Sequence, residues 1–113
     1  MTESEFLAAA DLILRRIETA LELATDKGDT DVDCRRSGNV LEIEFIDNGS
    51  KIIVNSQAPM QEMWVAARSG GFHYKYQDGA WINTRDASEL FSALSGMVSE
   101  QGGSKVDLAA AAA

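Results

Sequence analysis

The most constraining feature of the sequence is a change in the spacing of its apolar residues. At both ends of the chain they recur every three or four positions, as in a helix, whereas the middle consists of short runs in which they recur every second position, as in a strand. Near the start, apolar residues recur every three or four positions: Phe6, Ala10, Ile13, Ile17, Leu21 and Ala24. That spacing marks one face of a helix. Thr2 and Glu5 have the spacing of a capping box. The pattern therefore predicts a first helix over residues 3–24.

The middle of the chain predicts about six strands separated by turn residues. The runs are TDVDC, VLEIEF, KIIVN, MWVAA, FHYKY and AWINT. In the second run, Leu41, Ile43 and Phe45 alternate with glutamates, as in a strand with one buried face. Asn48-Gly49 and Asp78-Gly79 are strong tight-hairpin signals. We therefore expect an antiparallel meander.

A second helix closes the pattern. Asp86 and Glu89 repeat the capping-box spacing, and an amphipathic stripe of Leu90, Leu94 and Val98 follows before Gly102-Gly103. The element order predicts an α+β fold, an α-β(6)-α two-layer sandwich with both helices packed on one face of an antiparallel sheet. The other sheet face then meets water.

The length of 113 residues predicts one domain with one core. We place that domain at residues 1–108 and expect the alanines of 109–113 to be a disordered tail, with Val106 and Leu108 tucked between the helix ends. No apolar run spans a bilayer, and the acidic start MTESEF lacks the character of a targeting signal, so we expect a cytoplasmic protein. Cys34 is the single cysteine, which excludes an internal disulfide and a multi-cysteine metal site.

The charge of the chain is concentrated in its first half. The net charge is −8, with 12 acids against 5 bases in residues 1–50 and 6 against 5 in residues 51–113. Such a field repels nucleic acid and anionic lipid and attracts cations or a basic protein surface. We therefore expect no nucleic acid or membrane partner.

The acids are densest where the first helix gives way to the first predicted strand. Asp29, Asp31 and Asp33 alternate with other residues, so in a strand their carboxylates leave the same side. Glu22 and Asp26 come just before them. Carboxylate oxygens suit hard cations or iron in an open, partly hydrated site. From spacing alone the more common explanation stays open, namely that these charges serve solubility and protect an edge strand from pairing.

Several segments together resemble the frataxin family and, within it, the bacterial CyaY branch. They are SEF, DTDVDC, NGSKIIVN, QAPMQEMWVAA, SGGFHY and DGAWI. The resemblance extends over nearly the whole chain through the second helix. It implies the same α-β(6)-α sandwich that the element order predicts independently.

The resemblance also implies a site for weakly bound ferrous and ferric iron, which other divalent cations can occupy. The matching metal positions are Glu18, Glu22, Asp26, Asp29, Asp31 and Asp33. Asp11 is a peripheral member of the set. This chain carries Thr19 and Leu23 where close relatives carry further acids, which argues against a role in iron storage.

The family is implied to act in iron–sulfur cluster assembly, binding a cysteine desulfurase and the scaffold protein. The matching partner positions are Asn55, Gln57, Trp64, Glu18 and Glu22. We expect a regulator and iron donor rather than an enzyme, monomeric, with oligomers induced by iron. The alternative is an electrostatic adaptor that docks a basic protein partner without physiological metal binding.

Four residues receive individual predictions. Alternation places Trp64 outward together with Glu62, as a candidate partner contact. From the residues alone, ordinary core packing of Trp64 stays an equal alternative, and the family resemblance favours the partner contact. We expect Trp81 in the core, Cys34 as a buried and inert thiol, and His73 as a solvated strand residue rather than a primary iron ligand.

Overall fold

The computed structural model describes residues 1–109. In chain order, two helices flank a six-stranded sheet of order β1-β2-β3-β4-β5-β6 in which each strand pairs antiparallel with the next. The elements are α1 (Glu3–Asp26), β1 (Val32–Ser37), β2 (Val40–Phe45), β3 (Lys51–Gln57), a 3₁₀ turn (Ala58–Met60), β4 (Glu62–Ala67), β5 (Gly70–Gln77), β6 (Ala80–Asn83) and α2 (Leu90–Gly102). The predicted fold class is confirmed.

The first helix begins at the predicted capping box. The backbone N–H of Glu5 donates to Thr2 Oγ1 at 3.1 Å, and the N–H of Thr2 donates to Glu5 Oε1 at 2.8 Å. Both bonds satisfy N–H groups that the start of a helix leaves unpaired. The helix ends at Asp26, two residues later than predicted, and Gly28 at φ +82° turns the chain away.

The core lies between the helices and one face of the sheet. Leu41, Ile43 and Phe45 of β2 are buried, as their alternation predicts. Trp81 is also a core residue, with 3% of its surface exposed, and its ring packs in a T-shaped arrangement with that of Phe6 at 6.0 Å between centroids. The prediction for Trp81 is confirmed.

The second helix starts differently from the prediction. Glu89 is its N-cap and accepts from the N–H of Phe91 at 2.7 Å and of Ser92 at 3.1 Å. The predicted capping box between Asp86 and Glu89 is wrong, because Asp86 accepts from Ser88 within the preceding turn. A carboxylate three residues ahead of another can cap a helix or close a local turn, and only the backbone path decides between them.

The chain after α2 packs back onto that helix. The N–H of Val106 donates to Ser99 Oγ at 2.9 Å, and the N–H of Leu108 donates to Ser95 Oγ at 2.7 Å. Both apolar side chains are buried, as predicted. Residues 110–113, most of the predicted alanine tail, lie outside the described residues. Within residues 1–109, neither helix combines the length and the apolar character that a membrane crossing requires.

Candidate metal site and partner surface

The predicted metal residues lie along one edge of the molecule, and we call them together the acidic ridge: Glu18, Glu22, Asp26, Asp29, Asp31 and Asp33. The first three belong to α1, the next two to the loop that follows, and Asp33 to β1. Glu18 is partly covered and the other five are exposed. The helix end and the neighbouring edge strand thus present one series of carboxylates to solvent.

The alternation predicts that Asp29, Asp31 and Asp33 share one strand. They do not, because β1 begins only at Val32. Asp29 and Asp31 are loop residues: the N–H of Asp29 donates to Ala24 O at 2.9 Å, and the N–H of Ile46 donates to Asp31 O at 3.1 Å. The strand assignment is therefore wrong for these two. The predicted alternation of exposure still holds, since the intervening Thr30 and Val32 are buried.

The acidic ridge is not a closed metal centre. Nowhere in residues 1–109 do three His, Cys, Asp or Glu side chains converge as ligands for one ion. A cation on this surface would have few protein ligands at a time and would keep much of its water. The geometry therefore fits weak, open binding better than a tight site.

Arginines occupy part of the acidic surface. Asp11 receives hydrogen bonds from Arg36 on β1 and from Arg15 at 3.1 Å. The Arg36 bond, with the charges of both guanidinium groups, holds the pKa of Asp11 below its usual value. Asp33 is paired with Arg35 at 3.2 Å. Asp11 is thus engaged in a structural contact and Asp33 is partly neutralised, which leaves the other ridge carboxylates as the stronger ligand candidates.

Cys34 reports the combined field of the ridge. Its side chain is half-buried beside α1, and its pKa is raised to about 12 by burial first and then by the charges of Glu18, Glu22 and Asp33. A thiol with such a pKa is almost entirely protonated at neutral pH, in agreement with the predicted inert character. The same effect shows that carboxylates from α1 and β1 act on a common point.

The predicted partner residues Asn55, Gln57 and Trp64 lie together on the sheet face that carries no helix, which we call the open face. Asn55 pairs with Trp64 across β3 and β4, and Gln57 Nε2 donates to Asn55 Oδ1 at 2.9 Å. Trp64 stacks on His73 of β5, with ring centroids 4.3 Å apart and planes 5° apart. These residues form one continuous patch.

The exposure of the patch differs from the prediction. Trp64 is only partly exposed, and Glu62, expected to point outward with it, is 5% exposed. Trp64 Nε1 donates to Glu62 Oε1 at 2.8 Å. His73 is solvent-exposed on β5, as predicted, with 47% of its side chain exposed, and it also stacks on the indole. The spacing of Glu62 and Trp64, two positions apart in a strand, predicts that both lie on one face of the sheet. It does not predict which residue of β5 pairs with them, because strand register is not set by this spacing.

Most of the acidic ridge lies away from the open face; only Asp33, which pairs with Glu44 and alternates with the buried Val32, is on the helix-free side of the sheet. Trp64 lies on β4, three strands from β1, which is about 14 Å at ~4.8 Å per strand. Glu18 and Glu22 belong to the helix layer, on the other side of the sheet. The structure therefore does not bring Glu18 and Glu22 together with Asn55, Gln57 and Trp64, and one partner would have to wrap an edge to reach both.

Comparison with known proteins identifies the family. The family model described as a frataxin-like domain matches residues 1–104. The chain is 68% identical over 108 residues to the iron-sulfur cluster assembly protein CyaY of Herminiimonas arsenicoxydans and 69% identical over 108 residues to that of Janthinobacterium sp. (strain Marseille). In both comparisons 96% of each chain is covered. This chain belongs to the frataxin family.

Solved frataxin structures share its fold. Frataxin from Psychromonas ingrahamii superposes with a TM-score of 0.86 at 35% identity, covering 96% of this chain and 98% of that one. A trimeric frataxin from Saccharomyces cerevisiae, complexed with ferrous iron, gives a TM-score of 0.67 at 22% identity, covering 91% and 88%. The resemblance inferred from the sequence segments is confirmed. On α1 of this frataxin, Leu23 has 53% of its surface exposed.

Proposed function

We propose that this frataxin serves iron–sulfur cluster assembly, binding iron weakly on the acidic ridge and docking a cysteine desulfurase and its scaffold protein. The observation that carries this proposal is identity of 68% and 69%, across 96% of both chains, to proteins named iron-sulfur cluster assembly protein CyaY. The yeast frataxin complexed with ferrous iron supports iron as the metal. We further propose that the protein regulates desulfurase turnover and donates iron in the cytoplasm, without catalysis of its own.

The ridge has the chemistry of an open cation site. Its ligands are hard carboxylate oxygens, which suit Fe²⁺, Mn²⁺, Mg²⁺ and Ca²⁺ alike. Because the charges of Glu18, Glu22 and Asp33 act together at Cys34, a cation near that point would relieve their mutual repulsion. Weak binding with limited selectivity follows. With iron absent we expect a monomer, and with iron bridging two ridges we expect oligomers.

Iron binding is tested by anaerobic titration of Fe²⁺ into ¹⁵N-labelled protein. We expect paramagnetic broadening confined to residues 18–34. Asp29→Asn with Asp31→Asn should weaken the broadening, because both side chains are exposed and removing their charge leaves the backbone bonds in place. Asp78→Asn is the matched control, an exposed aspartate on the β5–β6 turn where φ of +49° suits asparagine. Broadening centred on β4, β5 or β6 would reject the ridge as the site.

The lack of converging ligands within residues 1–109 favours a second candidate, an electrostatic adaptor without physiological metal binding. The two candidates differ in what the Asp29→Asn and Asp31→Asn variant does. Loss of iron binding with desulfurase docking and turnover control retained supports the metal role. An adaptor predicts instead that docking weakens with each neutralised charge and with added salt, whether or not iron is present. If the protein neither binds Fe²⁺ nor alters desulfurase turnover, the proposed function fails.

A further inference from the structure

Glu62 is an unusual residue for a sheet face that carries no helix. Its side chain is 6% exposed, although its cross-strand neighbours Gln57 and Lys75 lie on the same open face. The carboxylate accepts one hydrogen bond, from Trp64 Nε1 at 2.8 Å. His73 Nδ1 lies 3.4 Å away and Lys75 Nζ 3.7 Å away. The surrounding side chains thus cover the carboxylate and supply its polar contacts.

Burying this carboxylate is hard to explain by stability alone. Taking a carboxylate out of water is unfavourable, and apolar side chains often serve a buried ion-pair position equally well or better. Here one hydrogen bond is short, and the nearest nitrogen atoms of His73 and Lys75 are both more than 3.3 Å from the carboxylate. What the contacts do achieve is orientation, because they fix the indole and the imidazole in one geometry.

That geometry restricts what Trp64 offers to a partner. Its single N–H is engaged by Glu62, so the part left for a partner is apolar ring surface. The ring also lies parallel to His73, within 5° and at 4.3 Å, which limits its rotation. A side chain that is already ordered loses less entropy when a partner binds.

We propose that Glu62 is a positioning residue that holds Trp64 and His73 as one rigid aromatic platform, and that this platform receives an apolar side chain of the docked partner. The docking half of this inference rests on the proposed function. The positioning half concerns the free protein and is independent of the proposed function.

The positioning half is tested without a partner, by the indole N–H signals of the two tryptophans in ¹H–¹⁵N spectra. Glu62→Met keeps the length of the side chain but removes the acceptor, so we expect the Trp64 indole signal to shift and its hydrogen exchange to accelerate. Glu62→Gln retains an acceptor oxygen and should stay close to the original spectrum. The Trp81 signal is the internal reference for an intact fold. Glu42→Gln is the matched control, since Glu42 lies on the sheet beside Lys51 at 3.4 Å and away from Trp64.

An unchanged Trp64 indole signal in Glu62→Met would overturn the proposal. If Glu62→Met perturbs folding, hydrogen exchange in the unmodified protein serves the same purpose. The Trp64 indole N–H, which donates to Glu62 at 2.8 Å, should exchange with solvent clearly more slowly than it does in the protein unfolded in denaturant. Exchange as fast as in the unfolded protein would also overturn the proposal.

The docking half is tested by binding to the complex of cysteine desulfurase and scaffold. We expect Trp64→Ala to weaken binding most, Glu62→Met by about two- to tenfold, and Glu62→Gln by less than about twofold. Full binding by Glu62→Met, with its indole signal shifted, would refute preorganisation as the role of Glu62. If the unmodified protein does not bind the complex, the proposed function fails, while the indole spectra still decide whether Glu62 positions Trp64.

Discussion

The reactivity of Cys34 gives a direct test of the electrostatics of the acidic ridge. The Cys34 thiol is made to react with a neutral disulfide reagent, such as a dipyridyl disulfide. A neutral reagent is chosen because the carboxylates of the acidic ridge would repel an anionic one. With a pKa of about 12, the Cys34 thiol at pH 8 is ionised to about one part in 10⁴. An ordinary cysteine with a pKa of ~8.5 is about one-quarter ionised at that pH. The thiolate population is thus lower by a factor of about 2,000.

The rate falls less than the thiolate population does. A thiolate of higher pKa is a better nucleophile, and a Brønsted slope of about 0.4–0.5 over ~3.5 pKa units recovers a factor of about 25–55. The expected result is a reaction about 50-fold slower than that of the same protein unfolded in denaturant, before any steric effect of burial. The assay follows pyridinethione absorbance in both states. A folded-state rate within about fivefold of the unfolded-state rate would refute the reasoning.

The same assay reports cation binding to the acidic ridge. Because Glu18 and Glu22 contribute to raising the pKa of Cys34, Glu18→Gln with Glu22→Gln should lower that pKa and accelerate the reaction. Mn²⁺, which does not oxidise thiols, should act in the same direction when it binds near these carboxylates. Glu100→Gln is the control, because it removes one exposed charge on α2. An equal acceleration by Glu100→Gln would show that net charge, and not the ridge, controls the thiol.

Three further predictions concern stability. Thr30 Oγ1 is buried without a hydrogen-bond partner among residues 1–109, so Thr30→Val should raise the free energy of unfolding by about 1 kcal/mol in urea denaturation. A lower free energy of unfolding in this variant would show that the Thr30 hydroxyl does have a hydrogen-bond partner. The Gln101 side chain accepts from the N–H of Arg68 at 2.8 Å, so Gln101→Leu should cost about 1–3 kcal/mol in the same assay by leaving that N–H unpaired; a neutral result contradicts this. Because Arg36 lowers the pKa of Asp11, their pairing stabilises the fold above the unfolded pKa of the carboxyl and is lost as pH falls through the folded pKa. Arg36→Gln should therefore lower the thermal midpoint at pH 7, with a difference that shrinks in acid; a difference independent of pH would exclude this pairing as its cause.

Much of the fold is predictable because its signals are local. The Thr2–Glu5 capping box and the alternation of β2 involve residues a few positions apart, and the structure confirms both. The errors arise where a local signal has two solutions. Asp86 closes a turn instead of starting a helix, and the strand assignment fails for Asp29 and Asp31 because the chain leaves α1 through a loop before it reaches the sheet.

The candidate surfaces divide in the same way. The sequence alone determines the acidic first half, the single cysteine and the alternation that places Trp64 on the open face, because these depend only on composition and on spacing along the chain. Only the tertiary structure decides that Glu62 is buried beside Trp64 and His73, that Arg36 reaches Asp11, and that Glu18 and Glu22 lie apart from the open face. Those contacts depend on strand register and on the packing of α1 against the sheet, which no short segment specifies.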